Sequence, residues 1–364
     1  MSAWACSRSD RKPLSDPFHS PTWRLSMNMV RRCISLSLLT AALFASGLSH
    51  AADIETRTIK FPSASNKGHP QVIGVEKFAE LVAQKSGGKL SVKPFPGGTL
   101  GPDLQTVSAM QGGTMEMTVM NASLLAGNAK EMAIFDFPFM FNNTREADAI
   151  ADGPIGQKLL DKLQERGLVG LAYWDLGFRQ MHTLKRPIAK ADDFKGLKMR
   201  VIPTPIYVDF MKALGASPVP MPFTETYTAL EQGAIDGMTN PLLNILDGKY
   251  NEVSKHLTIT NHMYTPQAVI VSKKFWDKLS PVEQKILRDA AMETAVFQRK
   301  VARDEAAKVL GELKKLGMTV HELPPEELAK MRERAKPVIE KYTKELGPVV
   351  QEMYAAVEKV RAAK

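Results

Sequence analysis

The sequence predicts an α/β protein of two similar lobes with a cleft between them, and three observations carry that prediction. A strand–helix–strand–helix–strand order runs over residues 58–120 and returns over 198–238. A charged, alanine-rich helical pattern over 281–316 is long enough to span both lobes. The chain has 364 residues, more than one hydrophobic core usually supports, which favours two domains.

Taken in order, residues 58–61 read as a strand. Val72, Val75, Phe78 and Val82 then recur at helical spacing, and Gly87-Gly88 stop that helix. Leu90–Phe95 is a second strand, 104–111 a short helix closed by Gly112-Gly113, and 115–120 a third strand. This alternation predicts a parallel sheet with right-handed crossovers. The later half repeats it: strand Lys198–Val201, helix 206–214 ended by Gly215, strand 218–221, helix 224–232 stopped by Gly233, strand 235–238. The segments 109–116 and 229–236 align without a gap, although with few identities. Residues 265–272 read as a strand returning the chain to the first lobe, and 326–336 and 337–363 as further helices. The resulting division places 52–176 with 266–305 in lobe I, and 177–265 with 306–364 in lobe II.

The N-terminus reads as an export signal. Met29-Val30-Arg31-Arg32 opens a basic segment, residues 34–48 are apolar, and Ser49-His50-Ala51 puts small residues at −3 and −1 of a cleavage point. The apolar run is too short for a transmembrane anchor. Residues 1–26 precede a better start and are read as an over-extended beginning, 27–51 as a signal peptide. Both cysteines, Cys6 and Cys33, precede the cleavage point, so the mature chain has no disulfide, thiol nucleophile or thiolate metal site. A cysteine-free exported chain points to the bacterial periplasm. Of the formal net charge of +9, residues 1–51 supply six basic and two acidic side chains, which leaves 42 against 37. That mild excess favours anions and forms no aromatic-interleaved basic stripe, so nucleic acid is not an expected partner.

Catalytic signatures are missing. There is no Gly-x-Ser-x-Gly, P-loop, Gly-x-Gly-x-x-Gly or His-Glu-x-x-His, and His69, His182, His256, His262 and His321 lack ligand spacing. No cofactor or metal is therefore expected. The candidate binding residue is Arg200, an arginine inside the short apolar run of Gly196-Leu197-Lys198-Met199-Arg200-Val201. A buried guanidinium needs an anion, and its planar fork suits a carboxylate. Position alone favours reading Arg200 as a strand-end arginine paired on the surface, Arg179 as a salt-bridge residue, and Asn240 as a turn residue. Trp174, Phe178, Tyr207 and Phe223 fit either the core or a pocket for a ligand with an apolar body. Residues 136–141 read as a buried turn.

The ordered motifs resemble those of the extracytoplasmic solute receptors of tripartite ATP-independent periplasmic (TRAP) transporters, dicarboxylate-receptor type. They include Gly68-His69-Pro70, Phe95-Pro96-Gly97-Gly98-Thr99-Leu100-Gly101, Phe135-Asp136-Phe137-Pro138-Phe139, Phe194-Lys195-Gly196-Leu197-Lys198-Met199-Arg200-Val201, Met221-Pro222-Phe223-Thr224-Glu225, Asp236-Gly237-Met238-Thr239-Asn240-Pro241 and Thr260-Asn261-His262-Met263-Tyr264. The resemblance covers nearly all of 53–345. It implies a two-lobed periplasmic binding protein fold with a hinge and a long helix across both lobes. It assigns the main carboxylate salt bridge to Arg200, with Arg179 and Asn240 beside it. Asn121, His69 and Tyr264 join the four rings as expected pocket lining. Sugar-acid receptors of the family commonly show glutamine and glutamate where Met238 and Thr239 stand. That difference tilts the expected ligand towards a compact 2-oxo or 2-hydroxy acid, or an acid with an apolar or aromatic body.

The expected function is therefore that of a monomeric periplasmic receptor. It captures a small organic acid and delivers it to the membrane subunits of a TRAP permease for ion-gradient-driven uptake. A periplasmic enzyme acting on organic acids, or a receptor for a sensor kinase, are the alternatives.

Overall fold

The computed structural model describes residues 54–363; the expected signal peptide, the residues before it and both cysteines lie outside this range. Strand β1 (Arg57–Pro62) pairs in parallel with β2 (Leu90–Phe95) through helix α1 (Pro70–Lys85). Helix α1 starts with Pro70 in its first turn, where a missing N–H costs nothing, and His69 Nδ1 caps it by accepting from the Gln71 amide at 3.0 Å. Helix α2 (Asp103–Gly112) is closed by Gly113 in a left-handed conformation, and β3 (Met117–Asn121) follows. Strand β3 takes β9 (Tyr264–Ser272) as its antiparallel ladder partner, so the expected parallel pairing holds for β1 and β2 and not for β3. The reason is non-local: all nine residues of β9 are buried, and that strand inserts between β3 and the long strand β4.

Helices α3 (Thr144–Ala151) and α4 (Pro154–Lys162) precede β4 (Leu168–Thr183), which the sequence reading did not recognise as an element. Strand β4 belongs to both halves. Its residues Leu168 to Phe178 pair with β9, and Arg179 to Thr183 pair with β7 (Gly237–Pro241). The second half then follows the expected order. Strand β5 (Lys198–Val201) lies between β6 (Ser217–Pro220) and β7, parallel to both, with α5 (Pro205–Leu214) and α6 (Thr226–Glu231) as the connections. Short helices α7 (Leu242–Asp247) and α8 (Tyr250–Val253) lead to β8 (His256–Ile259), which pairs with β4 and with β10 (Thr319–Glu322).

After the short α9 (Lys273–Trp276), the 35-residue helix α10 (Pro281–Lys315) extends roughly 52 Å at 1.5 Å per residue. A capping box fixes its start, with Glu283 N donating to Ser280 Oγ and Ser280 N to Glu283 Oε2. It packs on α1, on β4 and on α7, elements drawn from both halves. Helix α11 (Pro325–Leu346) runs straight through Pro337, where the sequence reading placed a break. Met331, Ala335, Val338, Tyr342 and Leu346 form one buried stripe, and that burial outweighs the hydrogen bond lost at the proline. The break falls at Gly347, which has φ +74°, before α12 (Pro348–Ala362). Helix α12 packs against α3 and α4, so the tail does not keep to the second half as the sequence division had it.

One close approach shapes the first core. Trp174 is fully buried, stacked 6.3 Å from Phe61, which in turn meets Phe78 edge-on at 5.6 Å. A Cβ at Gly74 would lie 2.9 Å from the Trp174 ring, so α1 can seat on that ring only with glycine there.

Candidate functional site

Arg200 is the penultimate residue of β5, with its guanidinium held by a carbonyl. Its Nε and Nη2 donate to Met221 O at 3.0 and 2.8 Å, just past the end of β6. The group therefore sits at the carboxyl ends of parallel strands, where loops open into a crevice in α/β sheets. Arg179 stands where β4 leaves β9 and joins β7, its own amide bonded to Met263 O at 2.8 Å. Its Nε donates to Thr239 Oγ1 at 2.8 Å, and its Nη2 donates to Thr239 O and, at 3.2 Å, to Asn240 Oδ1. Tyr207 supports it from behind, with the guanidinium carbon 5.5 Å from the ring centre.

Both guanidiniums are buried, at 2% and 3% exposure, and among the described residues neither forms an ion pair. Neutral oxygens orient them without cancelling their charge. Arg200 is pulled down to about 10, first by burial and then by the charge of Arg179. The two arginines line one cavity of about 90 Å³, and Asn240, Asn121 and Phe223 line it too. Asn121 caps the turn after β3, with Oδ1 accepting from Ser123 N at 3.2 Å. The Nδ2 atoms of Asn121 and Asn240 and the Oε1 of Gln267 are buried there without a hydrogen-bond partner among the described residues. Such orphaned groups cost stability unless something meets them. The arrangement can hold an anion between two fixed cations and give hydrogen bonds to a polar body.

The remaining expected lining residues lie elsewhere. Trp174 is in the first core, and His69 caps α1. Tyr207 stands outside the wall, behind Arg179. Phe178 and Tyr264 pack on each other at 5.2 Å, and Phe178 faces a separate cavity of about 390 Å³ with Asp175, Pro241 and Arg303. Met238 and Thr239 do not line the site either. Met238 is fully buried in the core beneath β7, while Thr239 holds Arg179 and His262. A ligand preference argued from those two residues and from the rings therefore loses its footing, since only Phe223 reaches the wall.

Five polar wall residues were not anticipated: Ser65, Gln71, Asp103, Asn244 and Gln267. Gln267 had a signal, as a lone amide in an otherwise apolar strand; Asp103 lies two residues after the glycine motif ending at Gly101. Burial pushes the Asp103 carboxyl up to about 6 against the pull of Arg200. Asp136 lies behind the wall, accepts from Thr204 Oγ1 at 3.1 Å and is raised by burial to about 7. Burial lowers His69 to about 4; burial with the two arginines lowers His182 to about 3, and burial with Arg179 takes His262 well below its usual range. These histidines stay neutral near pH 7, and the arginines dominate the local charge.

Fold and site together define a two-lobed α/β solute-binding protein with a cationic interior cavity. The model of the bacterial extracellular solute-binding protein family 7 (DctP) matches residues 61–345, and the chain belongs to that family. The C4-dicarboxylate-binding periplasmic protein DctP of Rhodobacter capsulatus is 35% identical over 88% of this chain and 96% of its own length. A TRAP periplasmic solute-binding protein of Ochrobactrum anthropi, solved with its C-terminus bound in the ligand-binding pocket, is 51% identical. It superposes with a TM-score of 0.77 over 86% of this chain and 98% of its own. The sugar acid binding protein DctPAm of Advenella mimigardefordensis, solved with galactonate, is 39% identical with a TM-score of 0.83 over 85% and 100%. The resemblance read from the motifs is thus borne out, as is the two-lobed α/β fold.

Proposed function

We propose that this chain captures a small organic acid by its carboxylate in the two-arginine cavity and delivers it to a TRAP-type membrane permease. The observation that carries this reading is the pair of buried guanidiniums, Arg179 and Arg200, with no carboxylate partner among the described residues. In this reading Arg200 is the main anchor, Arg179 the second contact and Asn240 Nδ2 a further donor. A bidentate, charge-assisted pair replaces the repulsion between the two arginines with attraction to a shared anion. Membership of a receptor family supports binding without turnover, and its periplasmic relatives support export of the chain past residue 51.

Capture works by closure. The wall draws Ser65, Gln71, Asp103 and Asn121 from one half of the chain, and Arg200, Phe223, Asn240 and Asn244 from the other. A ligand touching both sets stabilises the closed arrangement over the open one, and the permease then reads the closed surface. The boundary between halves is proposed at 176/177 and 265/266, with the chain acting as a monomer. Calorimetry over a panel of organic acids tests the reading. Binding of at least one acid by the wild type, and none by Arg200→Ala in a folded protein, is the expected result. Near-native affinity in that variant would remove Arg200 from the anchor role.

A further inference from the structure

We infer that Asp103 sets the charge of the ligand: the cavity takes an acid with one carboxylate on a hydroxylated body and rejects a matching acid with two. This rests on the carboxylate reading of the cavity. The wall carries two cations, Arg179 and Arg200, and one carboxylate, Asp103, which is half-buried at the start of α2 and in no ion pair among the described residues. His69, His182 and His262 are held neutral by burial, and burial keeps Tyr207 and Tyr250 protonated. Asp136 stands off the wall behind Thr204, and burial raises it to about 7, so it is left out of the wall's count.

With Asp103 ionised, the wall has a surplus of one positive charge. One ligand carboxylate closes that surplus. A second would sit unbalanced among the buried Met120, Leu124, Leu176 and Ile202, and an unpaired buried charge is strongly disfavoured. An ionised carboxylate only accepts hydrogen bonds, so Asp103 favours ligand groups that donate. Gln267 Oε1 is a second free acceptor, whereas the free donors Asn121 Nδ2 and Asn240 Nδ2 suit hydroxyl or carboxylate oxygens. Hydroxyl groups satisfy both kinds. Asp103 thus acts as a specificity residue, separate from the anchors.

The test uses acids that differ in charge and share the configuration of their internal hydroxyls: D-galactonate against galactarate, and D-erythronate against meso-tartrate. Calorimetry at pH 7.5 is run on wild type, Asp103→Asn and Asp103→Glu, with circular dichroism to confirm folding. The wild type is expected to prefer the singly charged member of a pair by at least tenfold. Asp103→Asn is expected to shrink that ratio at least tenfold, chiefly by gaining the dicarboxylate, and Asp103→Glu to retain it. Equal wild-type affinity for both members, or a ratio unchanged in Asp103→Asn, overturns the inference. Binding of only non-hydroxylated acids, still dependent on Arg200, overturns it while leaving the carboxylate reading intact. Absence of any Arg200-dependent acid removes that reading as well.

Discussion

Arg179 and Arg200 face one cavity as like charges: after burial, the charge of Arg179 is the largest influence lowering the Arg200 guanidinium. Two cations held side by side by neutral carbonyl, hydroxyl and amide oxygens are an unfavourable arrangement in the empty protein. Their attraction for an anion and their cost without one are the same quantity seen from two sides. That relationship makes the variants below informative even before a ligand is known.

Removing Arg200 should not weaken the empty fold. Arg200→Ala relieves the repulsion and loses two hydrogen bonds to Met221 O. The expected outcome is a melting temperature within a few degrees of wild type, with acid binding lost by at least 100-fold, the order expected for losing ~3 kcal/mol from a buried charge pair. Calorimetric melting and ligand titration on the same samples check it.

Asn240→Asp supplies the missing anion internally. Asn240 Oδ1 already accepts from Arg179 Nη2 at 3.2 Å, so the new carboxylate needs no rearrangement to pair with it. The variant is expected to melt higher than wild type in the empty state and to bind acids at least tenfold more weakly. A lower melting temperature together with unchanged affinity would count against an anion deficit at this site.

Asp136 predicts a pH signature. Its folded value, about 7, lies above its ordinary value of 3.8, so the folded protein holds a proton that the unfolded chain releases between those limits. Its contribution is complete below about pH 4 and is lost as pH rises through 7. Asp136→Asn keeps an acceptor for Thr204 and removes the titration. Relative to wild type, it is expected to be more stabilising at pH 8 than at pH 5 in urea unfolding at both values.

Gly74→Ala tests the seat of α1 on Trp174. The added methyl would meet the ring at 2.9 Å, and overpacking of that kind costs about 1–3 kcal/mol. Chemical denaturation is expected to show that loss. Trp174→Phe, which opens space in the same core, is expected to leave acid affinity within about twofold of wild type because Trp174 is not on the cavity wall.

Strands β2 and β5 were legible to the residue, because short apolar runs end at proline or glycine signals there. The helix at 281–316 was legible because its period persists over many turns. Strand β4 was not: it is buried along nearly all its length, so no alternation marks it, and its ladder shifts register at Leu171 and Leu176. Arg200 could be named because a charge in a short apolar run stands out locally, whereas Arg179 and Asn240 gained their role from the family resemblance. The rings could not be sorted that way, since Trp174 and Phe223 differ only in which distant segments fold against them. Asp103 escaped because an acidic residue at a helix start has an ordinary explanation in the helix dipole.

Strand β4 is a rung of both sheets at once, and α10 lies along both cores. Neither half can melt while leaving its neighbour's ladder whole. Heat is therefore expected to unfold the described chain in one cooperative transition, despite its size and its separate hydrophobic clusters. The strand that carries Arg179 thereby joins recognition to the integrity of the whole molecule.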